Sequence, residues 1–195
     1  MGFKSPASMS RDNDHPLDRR EGIPDALAYL RPAYPKPEWR AHANFGDLSA
    51  FWLHVHDHLR TSGADLARLT TAFREGQLDP AAFQRAFVPR INQFLQHLNG
   101  HHQIEDQHYF PKFRTLDPRM AAGFDLLDAD HHQIHDALLA SAKSAQALLQ
   151  TLTPATADTY ASDADHLLAL LHRHLADEED LVLPAMLHHG ERSLG

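Results

Sequence analysis

From residue 47 onward, apolar side chains recur every three or four positions, the spacing of helices that bury one stripe. Leu48, Trp52, Val55, Leu59, Leu66, Leu69 and Phe73 form the first stripe, and Phe87, Ile91, Phe94 and Leu98 the second. Phe124, Leu138 and Leu149 mark a third, and Leu167, Leu171 and Leu181 a fourth. Asp79-Pro80, Asp117-Pro118 and Thr153-Pro154 each set a capping side chain before a proline, which marks a helix start. The pattern predicts helices at about 47–75, 79–109, 118–151 and 154–188. Short links make sequence neighbours antiparallel, so the expected fold is all-α, an up-down-up-down four-helix bundle over 46–190. Pro89 lies inside the second helix and predicts a kink or a break there. Residues 1–45 hold six of the twelve prolines and little helical periodicity, which reads as a Pro-rich N-terminal arm. Leu27, Tyr29, Leu30, Tyr34, Trp39 and Phe45 are apolar anchors by which that arm can lie over the domain.

Composition narrows the chemistry. A chain of 195 residues fits one domain with an ordered extension. The absence of cysteine removes disulfides, thiolate metal sites and iron–sulfur clusters, so any bound metal sits on nitrogen and oxygen. A net charge of -8 gives no excess positive field for phosphates, and nucleic acid is not an expected partner. The nine glycines never fall closer than five positions apart, which excludes GxGxxG and Walker-type phosphate loops. HExxH and GxSxG are absent, removing the zinc-protease and serine-hydrolase readings. No apolar run approaches the roughly 18 residues of a membrane span. The opening MGFKSPASMS lacks the apolar stretch of a secretory signal, and Pro6 stands where a myristoylation motif needs Ser or Thr. The expected location is cytoplasmic, without membrane attachment.

The feature that changes the picture is the presence of 17 histidines, spread along the chain. Continuing the second stripe past Leu98 reaches His101 and Glu105; the third passes through His131 and His135 to Leu138; the fourth passes through His174 and Glu178 to Leu181. Residues four apart on a helix share a face, with Cβ atoms roughly 5–6 Å apart, so each of these pairs can grip one small centre. On the first helix His56 and His58 flank the apolar stripe equally, and the phase does not choose between them. His102 and His132 replace their neighbours if the phase is off by one. An internal echo, HHQIEDQHYFP at 101–111 against HLADEEDLVLP at 174–184, favours Glu178 over Glu179. Each buried polar group left unpaired costs about 1–3 kcal/mol, against a total stability of about 5–15 kcal/mol. A shared cation removes that penalty. Five imidazoles and two carboxylates exceed one ion and suit two sites, one with three histidines and one with two, the latter keeping an open position. Such donors admit iron, manganese or zinc.

HDHLR at 56–60, HHQIED at 101–106 followed by Phe110-Pro111, HHQIHD at 131–136 and HLADEED at 174–180 followed by Leu183-Pro184 occur in this order. Together they resemble the hemerythrin-like HHE cation-binding domains, four-helix bundles that hold a non-haem di-iron centre. The resemblance covers about 47–188 and implies two iron ions. It implies His131, His135 and His174 on one iron, His56 and His101 on the other, and Glu105 and Glu178 as bridges. In the oxygen-carrying members the last carboxylate is an Asp five residues after its histidine; here that spacing holds Glu179. The resemblance implies a protein that binds or senses dioxygen or a related small oxidant at a carboxylate-bridged centre. The rival expectations are a peroxidase, catalase-like or oxidase enzyme, with Tyr109 or His108 as the acid–base group, and an iron-dependent structural or sensory module.

Overall fold

The computed structural model describes residues 15–194. Five α-helices follow in order: α1 (Asp47–Arg74), α2 (Pro80–Ile104), α3 (Phe110–Leu116), α4 (Ala121–Gln150) and α5 (Pro154–His189). Among the described residues there is no strand. α1 packs on α2 and α5, and α4 packs on α5 and α2, which closes the ring of the expected four-helix bundle. The side chains of Asp79 and Thr153 accept hydrogen bonds from the backbone N–H groups of Ala82 and Thr156, capping α2 and α5 where the sequence marks helix starts. α2 runs unbroken through Pro89, so the break allowed for there does not occur.

Two boundaries differ from expectation. The second helix does not end near 109: a single π-helical turn (Glu105–Tyr109) passes directly into α3, which stops at Leu116. The third long helix opens with a 3-10 turn (Pro118–Met120), where Asp117 accepts from the Arg119 N–H, and becomes α-helical at Ala121. A π turn spends one extra residue per turn and therefore resets the phase of every side chain after it.

The bundle core has two parts. Toward the ends of α1 and α4 and the starts of α2 and α5, a cluster including Phe73, Phe83, Phe87, Leu148 and Tyr160 excludes water. Toward the other end, α3, the start of α4 and the end of α5 pack with the arm through Phe110, Phe113, Phe124, Leu181 and Met186. Of the arm expected at 1–45, residues 1–14 lie outside the described residues. From residue 15 it lies over the bundle, with Leu17, Ile23, Leu30 and Trp39 buried. Tyr29, Tyr34, Leu27 and Phe45 pack against the same cluster half-buried. The histidines and carboxylates gather between these two cores. No helix among the described residues is long and apolar enough to cross a membrane.

Candidate metal centre

Two groups of four donor side chains face each other across the bundle axis. In one, His102, Glu105, His131 and His174 bring ligand atoms within 4.8 Å of one another; in the other, His56, His101, Glu105 and Glu178 do the same. Glu105 belongs to both. Its Oε1 lies 3.1 Å from His101 Nε2 and its Oε2 lies 3.5 Å from His131 Nε2. Glu178 spans the groups in the same way, with Oε1 3.4 Å from His56 Nε2 and Oε2 3.4 Å from His174 Nε2. Each carboxylate thus turns one oxygen toward each group. The π turn starts at Glu105, so the carboxylate and the phase change of the chain coincide.

His56, His101, Glu105, His131, His174 and Glu178 all point into this layer, whereas His135 does not. It is exposed, and the buried stripe of α4 runs through Asp130, His131, Ile134 and Leu138. On a helix of 3.6 residues per turn, the position three after His131 stays closer to the buried line here than the position four after it. The third imidazole comes instead from His102, buried on α2, one residue beyond His101. Neighbouring residues on a helix diverge by about 100°, so the two adjacent histidines serve different groups. His58 is exposed, while His56 is fully buried. Glu179, also buried, stands behind the second group: its Oε1 lies 3.2 Å from His56 Nδ1. His108 is exposed, and Tyr109 is half-buried against Trp52, ring centroids 4.9 Å apart.

Three imidazoles are held from behind by carboxylates. Asp106 lies 2.7 Å from His131 Nδ1, Asp130 lies 3.4 Å from His174 Nδ1, and Glu179 holds His56. A carboxylate accepting from Nδ1–H leaves the lone pair on Nε2, the nitrogen turned toward the centre. The carboxylates are anchored in turn. Arg20, from the arm, donates to both oxygens of Asp130 and, at 2.7 Å, to Asp177. Lys36, also from the arm, and Arg60 approach Glu179 at 2.5 and 2.7 Å. Trp52 Nε1 donates to Glu178 Oε1 at 2.5 Å. Of these supports, Trp52 lies on the apolar stripe of its helix, four residues before His56. Arg20 and Lys36 lie in the segment without periodicity.

The fit to a cation rests on atoms left over. Among the described residues, His56 Nε2, His101 Nε2, His102 Nε2, both oxygens of Glu105 and Glu178 Oε2 are buried without a hydrogen-bond partner. His131 Nε2 and His174 Nε2 face each other at 3.1 Å, which two lone pairs do not tolerate unless a proton or a cation lies between them. The electrostatics without a cation is strained in the same sense. Burial drives His101 down to about 3 and His102 well below its usual value. Burial disfavours charged His174, but Asp130 and Glu178 outweigh it and hold the pKa up at about 9. Burial and the neighbouring Glu178 push Glu105 well above the usual carboxyl range. Soft sulfur is absent, and a set of imidazoles and carboxylates suits a first-row divalent or trivalent ion.

A model of the hemerythrin HHE cation-binding domain matches residues 47–186. The chain belongs to that family. No curated protein and no solved structure matches it. The match begins at the start of α1, so the arm that supplies Arg20 and Lys36 lies ahead of it, while both donor groups lie inside it.

Proposed function

We propose that this HHE domain holds two iron ions and binds or senses dioxygen or a related small oxidant at one of them. His102, His131 and His174 would hold one ion, His56 and His101 the other, and Glu105 and Glu178 would bridge, with the bundle at 46–190 as the working unit and the arm as its strap. The observation that carries the reading is that, among the described residues, six of the seven buried side-chain atoms lacking partners, all but His189 Nε2, are inward nitrogens and oxygens of these side chains. When bound, such a pair of ions supplies electrons to an oxidant and takes them back.

The protein's own residues do the rest. Asp106, Asp130 and Glu179 fix three ring orientations, which keeps the donors in place through a change of ionic charge. Trp52 holds Glu178 in a single orientation. Leu59, Leu98 and Leu171, all fully buried, keep water from the layer from the far side. The two-histidine group has fewer imidazoles and therefore room for one more ligand.

Elemental analysis of freshly purified protein should return two equivalents of iron per chain, with a charge-transfer spectrum in the oxidised form. Stopped-flow mixing of the reduced protein with dioxygen should then give a stable new spectrum. Rapid turnover of peroxide would favour the enzymatic alternative, which has Tyr109 beside the two-histidine group to move a proton. A protein that carries no metal and whose unfolding ignores chelators would sink the whole reading.

A further inference from the structure

A cavity of about 270 Å³ opens between α1 and the end of α2, and His101 and Glu105 of the two-histidine group form part of its wall. Phe51, Trp52, Val55, Ile104 and Tyr109 supply much of the remainder. Phe51 and Ile104 are 60% and 52% exposed, two large apolar side chains left in water at its edge. Among the described residues lining it there is no lysine or arginine, and Glu105 is its one carboxylate. The volume far exceeds what a diatomic oxidant needs, since an apolar cavity of about 150 Å³ already takes up benzene.

Gly100 is the second, independent observation. It lies within a continuous helix, where glycine is less favourable than alanine, and its backbone has no left-handed conformation to require it. Nor does packing require it. A Cβ at Gly63 would strike Leu168 at 2.3 Å, but a Cβ at Gly100 would meet nothing within 4 Å. Gly100 lines the cavity, so the missing side chain leaves its wall bare. His101 Nε2 and both Glu105 oxygens are the buried polar atoms at this wall that lack partners.

We infer that this cavity binds a small, uncharged, mainly apolar organic molecule, about one or two rings in size, with one end against His101 and Glu105. The inference rests on the two-cation reading only in making that molecule a neighbour of the ions; the cavity itself needs no ion. With the ions chelated, an anion would meet no lysine or arginine there and would be driven toward the Glu105 carboxylate.

The test is a ¹⁹F NMR titration of the full chain with 4-fluorotoluene, beside its anionic relative 4-fluorobenzoate, on iron-loaded and chelated samples. Saturable one-site binding of 4-fluorotoluene is expected, with no binding of 4-fluorobenzoate to the chelated sample over the same range. Gly100→Leu should weaken the binding at least tenfold. Gly100→Ala should weaken it less and raise the thermal midpoint, which separates filling of the cavity from damage to the helix. Unchanged affinity in Gly100→Leu, or equal binding of the anion to the chelated sample, would overturn the inference. So would a chain that dimerises, by light scattering, and loses the probe as it does, since the face would then join two copies. Probe binding lost in samples that retain iron defeats this inference alone. Probe binding kept in samples that never take up iron defeats the two-cation reading alone.

Discussion

The two donor groups share Glu105 and the same bundle, yet they are backed differently. In the three-histidine group the rings themselves are packed: His102 stacks on His131 with centroids 4.0 Å apart and planes 12° apart, and Phe110 stacks on His131 from another side. Behind them stand Asp106, and Asp130 with its Arg20. All four of its donor residues are buried. The two-histidine group is held behind His56 by Glu179, but His101 and the shared Glu105 border a cavity. One group is enclosed by buried side chains, and the other is bordered by open space. On the proposed two-ion reading, this difference predicts permanence at the first site and ligand exchange at the second.

The largest effect should come from removing both ions. With free ion at about 1,000 times its Kd, each site adds about 4 kcal/mol to stability, so a chelator should lower the thermal midpoint by on the order of 10 °C or more per site for a chain of this size. The contrast predicts two steps in a chelator titration followed by metal analysis, the two-histidine site emptying first. A single step, or emptying in the opposite order, would break it. His102→Ala should abolish binding at the three-histidine site, and His135→Ala should leave both sites full.

Arg20→Met should come next. Its loss leaves Asp130 and Asp177 as buried carboxylates without their counter-charge, and breaking a buried pair in this way costs about 3–5 kcal/mol. Chemical denaturation of the chelated variant reads that cost directly. In loaded protein the same change should loosen His174 and weaken the three-histidine site, while the two-histidine site keeps its affinity. Equal weakening of both would mean that the arm merely supports the bundle. Asp106→Asn is gentler: it keeps the shape beside His131 and removes the charge, and changes of this kind typically cost about 10–100-fold in metal affinity.

What was legible in the sequence divides along the same physical line. Helical periodicity reports which face of a helix is buried, so the four long helices and the inward course of His56-bearing α1, His101, Glu105, His131, His174 and Glu178 follow from spacing, and the capping residues before Pro80 and Pro154 mark the starts of α2 and α5. Periodicity assumes a constant 3.6 residues per turn and one buried face per helix. His135 and His102 show where that assumption ends: α2 turns two adjacent histidines toward two different groups, and α4 turns only one inward. The adjacent pair HHQ at 101–103 was the available signal for His102. The π turn carries no comparable pattern. Arg20 and Lys36 are further out of reach, because their partners lie 157, 110 and 143 residues away and a segment with no repeat gives no phase to extend.

The smallest predicted effect tests how firmly the two-histidine side is held. α1, which carries His56, has Gly46 at its N-cap and no local capping side chain. Glu191, from beyond α5, takes that role: its oxygens accept from the backbone N–H groups of Gly46, Leu48 and Ser49 at 2.9, 3.1 and 2.7 Å. Burial alone would raise the Glu191 pKa, but these donors outweigh it and hold it below the usual 4.5. A carboxylate with a lowered folded pKa contributes fully above about pH 4.5, and the contribution disappears as pH falls through the lower folded value. Glu191→Gln should therefore cost about 1 kcal/mol at neutral pH, as loss of a helix cap and of a negative charge at a helix N-terminus does. The gap between the two proteins in denaturant titrations should close progressively below about pH 4.5. Iron at the two-histidine site should exchange faster in the variant, because the first turn of α1 leads directly to Trp52 and His56, and exchange at the three-histidine site should not change. A gap that persists undiminished in acid would mean that Glu191 acts by packing, and that charge has no part in holding α1.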